Sequence, residues 1–356
     1  MRRLGLLALL VIASMGGLAG WLDSRISRPY SGRGPGKTYV DIPRGTSRWA
    51  ISGILKQNEI IRDRMAFELF SLWHLRRPLQ AGEYYFDSPM NSKEVFWKIA
   101  GGRVFVHTVT IPEGWTMYDI AAELDRQGIC SREDFLAAAR DPSAVSDFAP
   151  QAQSLEGFLF PSTYEFTRHT TCPQIAKRMV GDFRAVWERL VPDSSAKYPE
   201  GLTLLQVITL ASLVERETPQ PEERPLVAGV FYNRLRRGSP LQCDPTVQYA
   251  LQLDGRPEKN VQSRDLRFQS PYNTYRVRGL PPGPIANPGE ASLRAALAPA
   301  QTDYLYFVAN DHGGHFFSKT LAEHNRNVAR YRRLLAGDAP PPSDPAPKKP
   351  KPRGHS

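Results

Sequence analysis

Val40-Asp-Ile-Pro43-Arg-Gly45 returns 69 residues later as Val109-Thr-Ile-Pro112-Glu-Gly114. Ile51, Leu55 and Ile60 return at the same offset as Ile120, Leu124 and Ile129. Each copy reads as a short strand, a turn at Pro-x-Gly, a helix and a second helix. The second helices are expected over Arg62 to Leu75 and over Ser131 to Arg140. Between the copies, Gly82-Glu-Tyr-Tyr-Phe86 reads as a further strand. Because turn and helix spacing agree, true repetition is preferred over two unrelated copies of a common unit. The two strand-helix units either pack as one small α+β module or belong to different domains.

On the N-terminal side, Arg2 and Arg3 precede Leu4 to Leu22, nineteen residues without a charge. That length suits one membrane-spanning helix and exceeds a usual signal-peptide core, so an uncleaved anchor is expected. Ser27 to Lys37, rich in Gly, Pro, Ser and Arg, reads as a linker. Gly36-Lys37-Thr38 imitates the end of a phosphate-binding loop, but Ser31 stands where a glycine is required. On the C-terminal side, from about Leu155 to Leu335, helices predominate. They are joined by irregular loops dense in aromatics, Pro, Asn and Gly. The tail from Ala339 holds seven prolines and should be disordered, since it cannot bury a core.

Bulk properties narrow the function classes. The 356 residues suffice for two modest domains. A net charge of +10 suits an anionic partner, yet the basic residues form no single long run, so nucleic acid is not expected. The three cysteines, Cys130, Cys172 and Cys243, form no C-x-x-C pair, which argues against a zinc site. One disulfide could form in an oxidising compartment, and the sequence does not select the pair. Neither G-x-S-x-G nor H-E-x-x-H occurs, so esterase and metalloprotease chemistry have no support. No cofactor and no metal are expected. His312 and His315 flank Gly313-Gly314 between two apparent strands and read as a hairpin turn. Thr320 with Glu323, and Asn287-Pro288 with Glu290, read as helix starts.

Thr203 to Thr218, TLLQVITLASLVERET, carries the candidate chemistry. Leu204, Val207, Ile208, Ala211 and Val214 recur at helical spacing. On that helix Glu215 lies roughly 60° from the centre of the apolar face and Glu217 roughly 100° away. Glu215 is therefore the acidic residue expected towards the core, where desolvation raises a carboxyl pKa and prepares a general acid. The plainer reading is a helix-end glutamate paired with Arg224 or Arg234. The surrounding loops present aromatic faces beside amides and hydroxyls, the mixture that sugars need.

The set Leu155-Glu-Gly-Phe-Leu-Phe-Pro-Ser-Thr-Tyr164, ASLVERET, Tyr232-Asn-Arg-Leu235, Leu241-Gln-Cys-Asp-Pro-Thr-Val-Gln-Tyr249, Ser270-Pro-Tyr-Asn-Thr-Tyr275 and Gly279-Leu-Pro-Pro-Gly-Pro-Ile-Ala-Asn-Pro-Gly289 closely resembles the YceG-like family, the endolytic murein transglycosylases. The resemblance implies an α+β protein with an N-terminal transmembrane helix, a LysM-like strand-helix repeat module and a mixed α+β catalytic domain with long aromatic and Pro-rich loops. The expected boundaries are 1–26 for the anchor, 27–37 for the linker, 38–140 for the LysM-like wall-binding module, 141–338 for the catalytic domain and 339–356 for the tail. The second repeat unit, 109–140, packs with the catalytic domain in one version of this scheme.

The family's catalytic glutamate falls on Glu215. Motif position alone makes Glu156, Gln242, Asp244, Tyr272, Asn273 and Tyr275 the candidate substrate-binding groups. Ser162 departs from the family's acidic residue in F-P-x-T-Y. The implied reaction cuts the bond between N-acetylmuramic acid and N-acetylglucosamine and leaves a 1,6-anhydro end. The implied partners are peptidoglycan strands, the inner-membrane bilayer and peptidoglycan synthases. The implied place is the inner membrane, single-pass, with the catalytic domain in the periplasm. Two competitors are a non-catalytic wall-binding scaffold and a hydrolase pairing Glu215 with a second carboxylate such as Asp244.

Overall fold

The computed structural model describes residues 16–17, 19–32, 37–193, 195, 197–258, 260–311 and 313–335. It falls into two compact units, Met1–Val109 with Thr163–Thr171, and Thr110–Ser162 with Cys172–Ser356.

In the first unit β1 (Thr38–Ile42) pairs antiparallel with β2 (Gly82–Phe86), setting Val40 opposite Tyr84. Three helices follow the same stretch of chain: α1 (Arg48–Gln57), α2 (Arg64–Trp73) and α3 (Ser92–Ala100). Each starts where a side chain accepts an otherwise orphaned backbone N–H: Ser47 from Ala50, Asp63 from Ala66 and Asn91 from Glu94. Asp63 explains why α2 begins two residues later than Arg62. Ile51, Leu55, Phe67, Val95, Phe96 and Ile99 meet Val40, Ile42 and Tyr84 in one core. A second two-stranded sheet joins β3 (His107–Thr110) to β4 (Thr163–Phe166).

The expected membrane helix is corrected. No helix among the described residues is long and apolar enough to cross a membrane, so a single-pass inner-membrane placement is not supported. Of the expected span, residues 4–15 and 18 lie outside the described residues, and its last residue, Leu22, is buried in the core of the first unit. The expected tail, 339–356, and His312 also lie outside the described residues.

The second unit is mostly helical: α4 (Met117–Arg126), α5 (Arg132–Arg140), α6 (Cys172–Leu190), α7 (Leu204–Glu217), α8 (Arg224–Arg236), α9 (Asp244–Leu253), α10 (Glu290–Leu297) and α11 (Leu321–Leu335). The hairpin β5 (Tyr306–Ala309) and β6 (His315–Ser318) precedes α11. Helix α7 opens on a capping box between Thr203 and Gln206, and every residue from Val207 to Val214 is buried. It is thus enclosed on all sides rather than along one stripe. Asn287 starts no helix: α10 is capped by Gly289, and the Asn287 carboxamide instead accepts the Gly157 and Leu159 N–H groups.

The repeat is visible residue by residue. Helices α1 and α4 occupy positions 48–57 and 117–126, which keeps the offset of 69. Gly45 and Gly114 hold the turn before them at φ +81° and +78°. After them Glu59 and Gly128 both adopt a left-handed conformation, at φ +58° and +67°.

Cys130 and Cys172 form a disulfide across 42 residues, and Cys243 is free and buried. A loop of that length constrains the unfolded chain by about 4 kcal/mol. Reduction should lower the unfolding midpoint by about 10 °C at this domain size. Thermal melts with and without dithiothreitol check this, with a Cys130→Ser/Cys172→Ser variant melting like the reduced protein.

Candidate functional site

The last turn of α7 delivers two carboxyl groups. The Glu215 side chain is 4% exposed. Its Oε1 accepts from Arg224 Nη2 at 3.0 Å, and its Oε2 accepts from the Gly289 N–H at 2.9 Å. The same Arg224 nitrogen donates to Glu113 Oε2 at 3.3 Å. Arg224 stands in the first turn of α8, and Glu113 in the turn between β3 and α4. That turn closes tightly: Gly114 lies against the Glu215 side chain, and Arg216 Nη1 donates to the Gly114 carbonyl at 3.1 Å. Gly289 has no room for a side chain, since a Cβ there would come within 1.9 Å of Glu113 Oε1. Burial pushes the Glu215 carboxyl above its ordinary range, while the Gly289 N–H and the Arg224 charge pull it back. A carboxyl that burial shifts towards its protonated form suits acid/base work.

Residues two apart on a helix point about 200° apart, so Glu217 leaves the other side of α7. Burial pushes its carboxyl up to about 7; Cys243 and Arg234 oppose the rise, and Asp244 adds to it. It lines a cavity of about 430 Å³ together with Arg234, Gln242, Asp244, Tyr275 and Tyr306. Tyr275 donates its hydroxyl to Asp244 Oδ1 at 2.6 Å.

The sequence-predicted residues therefore part company. Gln242, Asp244 and Tyr275 gather around Glu217, not Glu215. Glu156 is 2% exposed, and its carboxylate accepts from the Met117 N–H, Asn287 Nδ2 and the Tyr249 hydroxyl at 3.0, 2.9 and 3.1 Å. Burial pushes its carboxyl up to about 8. Asn273 is fully buried and donates to the Leu266 and Phe268 carbonyls. These two residues brace the fold and present no face to a sugar. Tyr272 packs on Tyr249 with ring centroids 5.1 Å apart. Of the two arginines weighed as partners for Glu215, Arg224 is the partner. Glu113 and Gly289 were not singled out for the site. The Pro-x-Gly turn of the second copy was the available signal, because Glu113 replaces Arg44 of the first copy there. Among the described residues no group of three or more His, Cys, Asp or Glu side chains is placed to hold a metal ion.

Comparison with known proteins gives a consistent outcome. The family model described as the YceG-like family matches residues 40–330. The endolytic murein transglycosylase of Bacillus subtilis (strain 168) is 35% identical over 308 residues, 82% of this chain and 84% of that protein. The protein of the same name from Streptococcus pneumoniae serotype 2 (strain D39 / NCTC 7466) is 30% identical over 360 residues, 91% of this chain and 64% of that one. A YceG-like protein from Listeria monocytogenes, solved by crystallography, aligns with a TM-score of 0.55 and 34% identity, covering 82% of this chain and 98% of that one.

Proposed function

This chain belongs to the YceG-like family, and from that premise we propose that it is an endolytic murein transglycosylase with Glu215 as its acid and base. The observation that carries the assignment is the enclosed Glu215 carboxyl, held on one oxygen by Arg224 and on the other by the Gly289 N–H. Protonated Glu215 donates to the oxygen that joins N-acetylmuramic acid to N-acetylglucosamine. The glycosidic bond breaks, and the anomeric carbon gains oxocarbenium character. The resulting carboxylate takes the proton of the muramyl C6 hydroxyl, whose oxygen bonds to the anomeric carbon. The products are a 1,6-anhydro end and a free N-acetylglucosamine end; no water is consumed and Glu215 regains its proton. Cutting new strands in this way ends their elongation, which places the enzyme's work beside peptidoglycan synthases.

One observation favours a competing reading. Glu113 shares Arg224 with Glu215, and two neighbouring carboxyls are the equipment of a glycoside hydrolase. Product analysis of digested sacculi separates the two: anhydro ends support the transglycosylase, reducing ends with incorporated solvent oxygen support the hydrolase, and intact sacculi sink both.

The first unit we read as a LysM-like wall-binding module. Its support is an exposed aromatic surface on α2, where Trp73 is 79% exposed and offers a face for sugar stacking. Trp73→Ala should weaken sedimentation with sacculi roughly fivefold, about 1 kcal/mol of stacking. Unchanged sedimentation would remove α2 from the binding surface.

A further inference from the structure

Helix α11 carries an exposed row of cations that the chemistry at Glu215 does not use. Its first turn supplies Leu321, His324 and Asn325 to the wall of the cavity that also holds Gln242, Asp244 and Tyr275. The last three are groups that family resemblance implies for sugar binding, so a strand laid there runs against the start of α11. Asn325, Ala329, Arg332 and Arg333 succeed one another at helical spacing on one face, with Arg326 beside them, and all five are exposed. Among the described residues no acidic side chain pairs with Arg326, Arg332 or Arg333. The one acid on the helix, Glu323, is spent on its cap, where Oε2 accepts the Lys319 and Thr320 N–H groups at 2.9 and 3.3 Å. Arg330, laid over the Phe316 ring at 4.6 Å, adds its charge at the edge. The outer face of α11 is therefore positive from its second turn to its end, and it opens onto the cavity.

We propose that this face binds the acidic peptides that peptidoglycan strands carry on their lactyl groups, with Arg326, Arg332 and Arg333 holding peptide carboxylates while the sugar joined to the peptide lies in the cavity. This assignment rests on the reading of peptidoglycan as substrate, and it makes the peptide a determinant of specificity beside the sugar. Length agrees. Arg332 stands two turns beyond Asn325, about 10 Å along the helix. An extended peptide covers about 3.3–3.6 Å per residue, so its third or fourth residue arrives over Arg332. Chemistry agrees as well. A guanidinium fork takes a carboxylate through two parallel hydrogen bonds, and clustered arginines are ordinary receivers of acidic segments. Between the cavity and Arg332 the outward residue is Ala329, small enough for a peptide backbone to pass. A lipid bilayer is the other large anionic surface, but the face between Asn325 and Arg332 offers no bulky apolar side chain to enter one.

The test is calorimetric titration of the full chain with N-acetylglucosaminyl-N-acetylmuramic acid bearing an acidic tetrapeptide, and with the same disaccharide lacking the peptide. Neither ligand contains the bond that is cut, so neither is turned over. An exposed ion pair is worth up to about fivefold, so two held carboxylates should make the peptide-bearing ligand bind about tenfold tighter. That advantage should shrink as salt is raised. In Arg326→Gln/Arg332→Gln/Arg333→Gln, where all three changes fall on exposed side chains, it should drop to about twofold or less, with circular dichroism checking the fold. Equal affinities for the two ligands in the parent, an advantage that the triple variant keeps, or no binding of either ligand would overturn the proposal. Sedimentation with vesicles of phosphatidylglycerol and phosphatidylcholine examines the other source of anions. Capture of the parent but not of the variant, with equal titrations, would move this face to lipid and overturn the assignment. Sacculus digestion by the unmodified enzyme is scored separately. Cleavage without a peptide advantage would overturn this assignment alone, and a peptide advantage with intact sacculi would overturn the proposed activity alone.

Discussion

A folded Glu215→Gln variant releases no glycan from purified sacculi. The side-chain amide keeps the shape of the carboxyl but has no proton to donate and no charge with which to take one. Both proton transfers of the proposed reaction pass through this group. General acid or base catalysis by one positioned side chain contributes roughly 10²–10⁴-fold, and here one group supplies both steps, so a loss of about 10⁴-fold or more is expected. The fold should survive. The amide oxygen can still accept from Gly289 or Arg224, although its NH₂ is a poor neighbour for the guanidinium. Release at near the unmodified rate would remove Glu215 from the mechanism. Glu217→Gln separates the two carboxyls of α7: it should raise the substrate concentration needed for half-maximal rate more than it lowers the maximal rate. The opposite pattern would move the acid/base assignment to Glu217.

The helix carrying these groups was legible because its ends are chemical. Thr203 with Gln206 writes a capping box at the start, and the 69-residue repeat writes the strand, turn and helix lengths of both copies. The site itself was less legible for a physical reason. Periodicity reports one apolar stripe, but α7 is enclosed all round, so angular distance from that stripe did not separate Glu215 from Glu217. Both carboxyls leave water, one on each side. Glu113 is 102 residues from Glu215 in sequence and Gly289 is 74 away, and only folding brings them together. Motif matching placed Glu156 and Asn273 among sugar-binding groups because they stand in recognisable loops. Their donors and acceptors are spent inside the protein: Glu156 on Met117, Asn287 and Tyr249, Asn273 on two carbonyls. The apolar run at the N-terminus reads as a membrane span, yet Leu22 and Ile26 are buried in the first unit's core.

Arg224→Leu should disturb the enzyme in a pH-dependent way that no simple loss of packing imitates. Arg224 is 8% exposed on its side chain and holds Glu215 at 3.0 Å and Glu113 at 3.3 Å with one nitrogen. Burial already raises the Glu215 carboxyl, and the Arg224 charge opposes that rise. Without the cation the acid form persists to higher pH. The alkaline fall in kcat/KM, which reports loss of the protonated acid, should therefore move to higher pH, while the maximal rate drops about 10²-fold as the carboxyl loses its hold. Stability follows the same sign. A carboxyl whose folded pKa lies above its unfolded value contributes stability that is present below the unfolded value, near 4.5, and is lost as pH rises through the folded one. The variant should thus be closest to the parent in acid and furthest from it in mild alkali. There, breaking a buried pair leaves an uncompensated charge and costs about 3 kcal/mol. Urea titrations at several pH values, with Arg224→Lys as the variant that restores charge without the guanidinium fork, measure both effects. A destabilisation equal at all pH values, with an unmoved kcat/KM profile, would make Arg224 a packing residue and detach it from the proton chemistry of Glu215.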